Sequence, residues 1–178
     1  MKQFFNIVRP LKKVLGFEGA SPQEKTEAFS ETDRFKACGV FMTTTAYKVV
    51  TEYNLDYGYY RSAEPFFVVK TEKELLKAIK DALEASWYVG ACINLSTKDY
   101  LKRLKERSFK HLYHNSTSCF IRLKGNRLEI TKYELHPSGH YLQENPDKVN
   151  LLIDEVGWDG ALQVILNILN QENDSKSR

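Results

Sequence analysis

The sequence predicts a single α/β domain of the α+β kind, in which about three helices pack on a mixed central β-sheet. Segments rich in β-branched and aromatic residues occur between amphipathic segments of helical period. The length of 178 residues suits one compact domain. The composition, 42% hydrophobic and 28% charged, is that of an ordinary folded protein. Wholesale disorder, collagen-like repeats and coiled-coil rods are therefore disfavoured.

The first 34 residues differ in composition from the rest and predict an appendage to the domain. Residues 1–17 are basic and contain no acid, whereas residues 18–34 are mainly acidic and poor in apolar side chains. We interpret residues 1–17 as a short basic helix that is docked on the domain, frayed, or bound to a membrane surface. We interpret residues 18–34 as a linker or a marginal helix. The domain then spans residues 35–170, and residues 171–178 form a disordered tail.

The first half of the domain predicts three strands and a helix. The segments FKACGVFMTTT and AYKVVTEYNL have the residue types and alternation of strands. The continuously apolar run PFFVV predicts a strand that is covered on both faces. Thr71 and Glu74 match a capping box, and the apolar spacing after them predicts a helix over residues 72–88.

The second half predicts a shorter helix, a hairpin and a closing helix. The shorter helix begins near residue 97 and ends near residue 108. CFIRLK and RLEITKYEL flank Gly125-Asn126, a dipeptide typical of a tight turn, and this is the most secure hairpin of the chain. HPSGHYLQ predicts a turn and a short strand, and KVNLLI predicts a strand that leads into the last helix.

The histidines form the chain's one metal-like constellation, together with one cysteine. Its members are His111, His114, His136, His140 and Cys119. Two histidines at these spacings share a metal most naturally on a helix, whereas HLYHNS and HPSGHY are interpreted as strand edge or turn. We therefore expect ordinary surface or turn histidines, and no metal or cofactor.

The cysteines do not predict a catalytic nucleophile. Cys38, Cys92 and Cys119 all lie in apolar runs, where a thiol behaves as a small inert hydrophobe. Their odd number and wide spacing predict neither a disulfide framework nor a zinc ribbon, which fits a reducing compartment. No stretch approaches the roughly 18 apolar residues of a membrane span. A cytoplasmic protein is therefore expected.

Two clusters of charge each have more than one interpretation. Asp154, Glu155 and Asp159 lie at the entry to the last helix, where they suit the helix dipole, with partner or metal binding as the alternative. Residues 98–110 contain six Lys or Arg and two acids, which fits a solvated helix face, a nucleic-acid contact or a protein contact. The net charge of +3 does not by itself imply a polyanionic partner.

The segment YNLDYGYYRSAEP has the most unusual composition of the chain. Four tyrosines fall within eight residues, next to an aspartate, a glycine and an arginine. Tyrosine and arginine are over-represented among interface hot spots, so we predict a protein-binding surface here. Its residues are Tyr53, Asp56, Tyr57, Tyr59, Tyr60 and Arg61. The alternative is that two or three of the tyrosines cap the edge of the core with their hydroxyls in water.

The order of these features resembles the contact-dependent growth inhibition immunity protein family. The likeness runs over residues 38–170, from VFMTTTAYKVVTEY through RSAEPFFV, YLKRLKERSFKHLYHNS and CFIRLKGNRLEI to PSGHY and the last helix. It rests chiefly on Thr43-Thr44-Thr45 and on the segment SAEPF. The chain departs from the family pattern at Thr45-Ala46, where a glycine is typical.

The resemblance implies a small cytoplasmic bacterial protein that is not an enzyme and needs no cofactor. Such a protein binds the C-terminal toxin domain of its cognate effector, often a nuclease, in a 1:1 complex and neutralises it by steric occlusion. The resemblance assigns no binding residues, because such families diverge at the toxin-binding surface. The alternative from another functional class is a small nucleic-acid-binding module. It would bind through residues 98–110, and its tyrosines would serve as stacking surfaces for bases.

Overall fold

The structure, a computed structural model, describes residues 35–55, 59–86 and 95–171. The predicted appendage of residues 1–34 and all but the first residue of the predicted tail lie outside the described residues, as does Cys92. The two boundaries of the predicted domain organisation, after residues 34 and 170, therefore stay predictions. None of the described helices is long and apolar enough to cross a bilayer.

The described chain forms a six-stranded sheet with four helices. Its elements are β1 (Lys36–Thr43), β2 (Tyr47–Leu55), β3 (Tyr59–Val69), α1 (Glu72–Ala85), α2 (Thr97–Arg103), α3 (Phe109–His114), β4 (Ser116–Lys124), β5 (Arg127–Leu135), β6 (Leu142–Leu152) and α4 (Ile153–Asn170). The strand order is β3-β2-β1-β4-β5-β6, and all neighbours are antiparallel. The α+β class is confirmed. The sheet is antiparallel throughout rather than mixed, because β1 to β3 and β4 to β6 are consecutive strands joined by short links.

The helices divide between the two faces of the sheet. α1 packs on β1, β2 and β3, and α4 packs on β4, β5 and β6. Between these helices and the sheet lies the larger core, which includes Val40, Val49 and Ile121. Leu104 and Leu112, from the α2 and α3 region, pack with Phe41 and Val50 in a smaller cluster. Because side chains alternate along a strand, Val40 and Phe41 point to opposite faces, and so do Val49 and Val50.

The predicted helix of residues 97–108 corresponds to α2, which ends at Arg103, and a second helix that the sequence did not predict, α3, follows it. Lys105 has a positive φ of 54° just after α2, which marks the break between them. Ser108 then caps α3, and its hydroxyl accepts a hydrogen bond of 3.0 Å from the His111 amide. HLYHNS is therefore mainly helical, and its interpretation as strand edge or turn was wrong.

The predicted hairpin around Gly125-Asn126 is confirmed, with Gly125 at a φ of 60°. β6 is longer than expected and continues through Pro146. An edge strand tolerates a proline because one of its sides has no neighbouring strand to hydrogen-bond.

The β1–β2 turn closes without a glycine. There the Thr43 amide donates to the Ala46 carbonyl at 2.9 Å, and the Ala46 amide donates to the Thr43 hydroxyl at 3.1 Å.

The strand containing PFFVV, β3, lies at the other edge of the sheet. Its apolar side chains are half-buried on both faces, since Phe67 and Val69 pack on the larger core and Phe66 packs on the smaller cluster. Its register against β2 shifts between Val50, which pairs with Phe66, and Thr51, which pairs with Ala63. The two extra residues of β3 form a bulge that includes Pro65, whose carbonyl accepts a 2.7 Å hydrogen bond from the Thr51 hydroxyl. A proline fits there because it has no amide to contribute to the ladder.

Candidate functional site

Of the six predicted interface residues, Tyr53 lies on β2, and Tyr59, Tyr60 and Arg61 lie on β3. Tyr53 pairs with Arg61 across the two strands. Tyr53 is buried, with only 4% of its surface exposed, whereas Arg61 is exposed. Asp56 and Tyr57, and the side chains of Tyr59 and Tyr60, lie outside the described residues.

A buried carboxyl group lies at the base of this hairpin, one pair away from Tyr53 and Arg61. Glu52 pairs with Ser62, and the Ser62 hydroxyl donates a 2.6 Å hydrogen bond to Glu52 Oε1. Burial raises the pKa of Glu52 to about 8, and the hydrogen bond from Ser62 offsets part of that rise. The side chain is therefore mostly protonated at neutral pH.

Two tyrosines of the helices on this face of the sheet lie close to Glu52. Burial raises the pKa of Tyr100 well above its ordinary value, and the nearby Glu52 charge raises it further. Burial and the same carboxyl raise the pKa of Tyr113 to about 12. Tyr100 also hydrogen-bonds Ser62, so α2 contacts the base of the hairpin directly. Both phenols stay neutral at physiological pH and act here as packing and hydrogen-bonding groups.

A row of four aromatic rings joins β3 to α2 and α3. Tyr100 meets the Phe66 ring edge to face, with the ring centroids 5.3 Å apart. Phe109 lies between Tyr100 and Tyr113, at centroid distances of 5.2 and 5.6 Å. All four rings are half-buried. The row packs two short helices, each too short to be stable alone, against the edge of the sheet.

Ion pairs attach the same helices to the sheet. Glu106 accepts hydrogen bonds from the Lys48 ammonium of β2 and from His111 Nδ1, the latter at 2.7 Å. Burial alone would raise the pKa of Glu106, but the hydrogen bonds from Lys48 and His111 outweigh it, and the pKa lies below its ordinary value. Arg103 of α2 pairs in turn with Glu64 of β3. One carboxylate of this segment, Glu106, and one of its cations, Arg103, are therefore engaged with the sheet.

The outer side of this region is strongly basic. We call it the basic face, and it consists of five exposed side chains: Lys98, Lys102, Lys105, Arg107 and Lys110. Within the described ranges, none of these five forms an ion pair. Of the two acids of the segment, Asp99 accepts a 2.6 Å hydrogen bond from the Ser96 hydroxyl at the start of α2, and Glu106 is turned inward. The segment therefore exposes five cations and one carboxylate, that of Asp99.

The histidines and cysteines do not assemble into a reactive centre in the part of the chain that is described. His111 and His114 lie on α3, whereas His136 stacks on Tyr141 with ring centroids 4.2 Å apart. Residues 35–55, 59–86 and 95–171 contain no group of three His, Cys, Asp or Glu side chains that could hold a metal ion. Cys38 and Cys119 are buried free thiols, and burial raises the pKa of Cys119 to about 12. A thiol in that state is a poor nucleophile.

The acidic residues before the last helix are in part structural. Asp154 and Glu155 lie in the first turn of α4, where negative charge suits the helix dipole. Asp154 also accepts a 2.8 Å hydrogen bond from the Asn126 side chain. The Asn126 carbonyl accepts from the Ile153 amide at 2.8 Å, so the β4–β5 turn holds the beginning of α4. Gly157, at a φ of 67°, kinks the helix one turn later.

The fold is shared with solved structures, among them the following two. One is a protein of unknown function from Neisseria meningitidis, at a TM-score of 0.55 and 15% identity, covering 84% of this chain and 99% of that one. The other belongs to a CdiA-CT/CdiI toxin and immunity complex from Yersinia pseudotuberculosis, at a TM-score of 0.54 and 16% identity, covering 77% of this chain and 98% of that one. No protein-family model and no curated protein matches the sequence.

Proposed function

We propose that this chain is an immunity protein that binds the C-terminal toxin domain of a contact-dependent growth inhibition effector and neutralises it. The main support is the fold shared with a chain of a toxin and immunity complex, of which 98% is covered. The second support is independent of it: the order of sequence features over residues 38–170 resembles that family. The partner is then a single toxin domain, a nuclease in our proposal, met in the cytoplasm.

Inhibition is steric in this proposal, because the described residues suit binding better than catalysis. Cys38 and Cys119 are buried with raised pKa values. His111 is held by Glu106, which is itself engaged by Lys48. Binding alone suffices for protection, since nanomolar affinity corresponds to about 12 kcal/mol. The immunity protein needs only to cover the substrate-binding surface of the toxin.

A titration of the toxin domain's nuclease activity with this protein tests the proposed function. The C-terminal domain encoded by the neighbouring gene is purified, its nuclease activity is measured on RNA and DNA, and this protein is added in steps. We expect activity to fall to zero at one molecule per toxin molecule, and single His→Gln and Cys→Ala variants to protect equally well. Protection by far less than one equivalent would show turnover and contradict steric inhibition, and absence of any binding would contradict the immunity role.

The alternative function, a nucleic-acid-binding module, has the basic face as its supporting observation. Five exposed cations within residues 98–110 could neutralise phosphates. Binding of a 20-nucleotide RNA or a 20-base-pair DNA with a steep salt dependence would favour this function. The aromatic row argues against base stacking, because Tyr100 and Phe109 each contact two other rings of that row.

A further inference from the structure

We infer that the basic face, Lys98, Lys102, Lys105, Arg107 and Lys110, is a docking surface for an acidic protein surface. This inference rests on the proposed function. It makes that function more specific, because it assigns toxin binding to a second region in addition to the tyrosine-rich hairpin. It also states the chemistry of the partner: a cluster of Asp and Glu side chains on the toxin domain.

The first argument is the contrast with the other charged surfaces of the described domain. On β4 to β6, Arg122 pairs with Glu129 and Glu144, and Lys148 also pairs with Glu129. On α1, Lys77 pairs with Asp81. The basic face differs because one of its two local acids, Glu106, faces Lys48 with only 7% of its side chain exposed. The basic face therefore has five exposed cations and a single exposed carboxylate, that of Asp99.

The second argument is that this arrangement opposes local stability. Lys98 and Lys102 lie four residues apart on α2, so their side chains are neighbours on the helix surface and repel each other. The electrostatic screening length is about 8 Å at physiological ionic strength, so the charges of two side chains four residues apart on a helix still interact. Repulsion of this kind is relieved when an acidic surface binds, and one-signed patches accelerate association with surfaces of opposite sign.

The third argument is that the face is held in place. Arg103 pairs with Glu64 of β3, Glu106 pairs with Lys48 of β2, and the aromatic row packs beneath both helices. The backbone that carries these charges is anchored and loses little freedom on binding, which reduces that part of the entropic cost of association. A solvated lysine face on a mobile segment would not need three separate attachments to the sheet.

The fourth argument selects a protein over a nucleic acid. Bases stack on aromatic rings whose faces are open. Phe109 is in contact with Tyr100 on one side and with Tyr113 on the other, and Tyr100 is in contact with Phe66 as well. The rings of the aromatic row are therefore engaged with one another, which disfavours stacking of bases on them.

The decisive experiment compares two charge-reversal variants with equal change in net charge. Lys102→Glu/Lys110→Glu alters the basic face, and Lys73→Glu/Lys124→Glu alters exposed lysines on α1 and β4. Association and dissociation rates with the C-terminal domain encoded by the neighbouring gene are measured between about 50 and 300 mM NaCl. The same proteins are tested against a 20-base-pair DNA and a 20-nucleotide RNA.

We expect the basic-face variant to associate about tenfold more slowly at low salt and to lose most of the salt dependence, while the control changes less than about twofold. Equal rates for the basic-face variant and the wild type would overturn the inference and leave the immunity function intact. Tighter binding of DNA or RNA than of the toxin domain, lost only in the basic-face variant, would assign the face to nucleic acid. If the wild type does not bind the toxin domain, the function and the inference both fail.

Discussion

At the scale of single residues, Glu52 gives the clearest pH prediction. Its pKa is about 8 in the folded protein against an ordinary value of 4.5, so between these values the folded state holds a proton that the unfolded state has released. Stability therefore falls as pH rises through this window, by at most about 1.4 kcal/mol per pH unit, and levels off above pH 8. Glu52→Gln removes the charge while keeping a similar shape.

We expect Glu52→Gln to gain stability relative to the wild type as the pH rises from 5 to 8, and the difference to become constant above that. Denaturant unfolding at several pH values measures this. Glu72→Gln, at an exposed position in the first turn of α1, is the control and should show no such trend. A stability difference between Glu52→Gln and the wild type that is independent of pH would show that Glu52 is ionised throughout.

Residue chemistry of this kind is not visible in the sequence. Glu106 lies within KRLKERSFK, where it resembles one more solvated helix residue, yet it contacts Lys48, which is 58 residues away in the sequence. Ser62 and Glu52 occur in separate strands and meet only after the hairpin forms. In both cases the environment depends on non-local contacts, which a local pattern cannot supply. The buried cysteines were foreseeable because their neighbours are apolar.

At the scale of elements, the β2–β3 hairpin provides a test of the predicted interface. We expect Tyr57→Ala/Tyr59→Ala/Tyr60→Ala to weaken binding of the toxin domain by about 2 kcal/mol or more, since truncated hot spots typically cost that much. The melting temperature should change little. The matched control is Tyr53→Ala, a buried tyrosine of the same hairpin, which should lower the melting temperature. Unchanged affinity of the triple variant would remove these tyrosines from the interface.

The elements with strong local signals were predicted well, and those that depend on tertiary contacts were not. The capping box of Thr71 and Glu74 begins α1 as expected, and Gly125-Asn126 forms the expected turn. α3 was missed because a six-residue helix is unstable alone and forms here through Ser108, Phe109 and Tyr113. β6 was predicted as shorter pieces because Pro146 resembles a break, whereas an edge position accommodates it.

At the scale of the whole molecule, the two faces of the sheet have different chemistry. α1 and α4 cover one face with the larger apolar core, which supplies most of the hydrophobic stabilisation. The other face has a smaller apolar cluster under α2 and α3, together with Glu52, the aromatic row and the basic face. Substitutions at exposed positions of the second face are therefore expected to affect binding more than folding.

The last prediction concerns the first 34 residues, which we expect to be dispensable for folding. Residues 18–34 contain few apolar side chains, whereas the described sheet has two apolar clusters of its own. A chain beginning at Asp33 should unfold in one cooperative transition, with a melting temperature within a few degrees of the full-length protein, as measured by circular dichroism and calorimetry. The same truncated chain should still bind the toxin domain with an unchanged association rate, because the basic face lies entirely within residues 98–110. Failure of this chain to fold cooperatively would show that the appendage contributes to the core and that the domain boundary lies nearer the N-terminus.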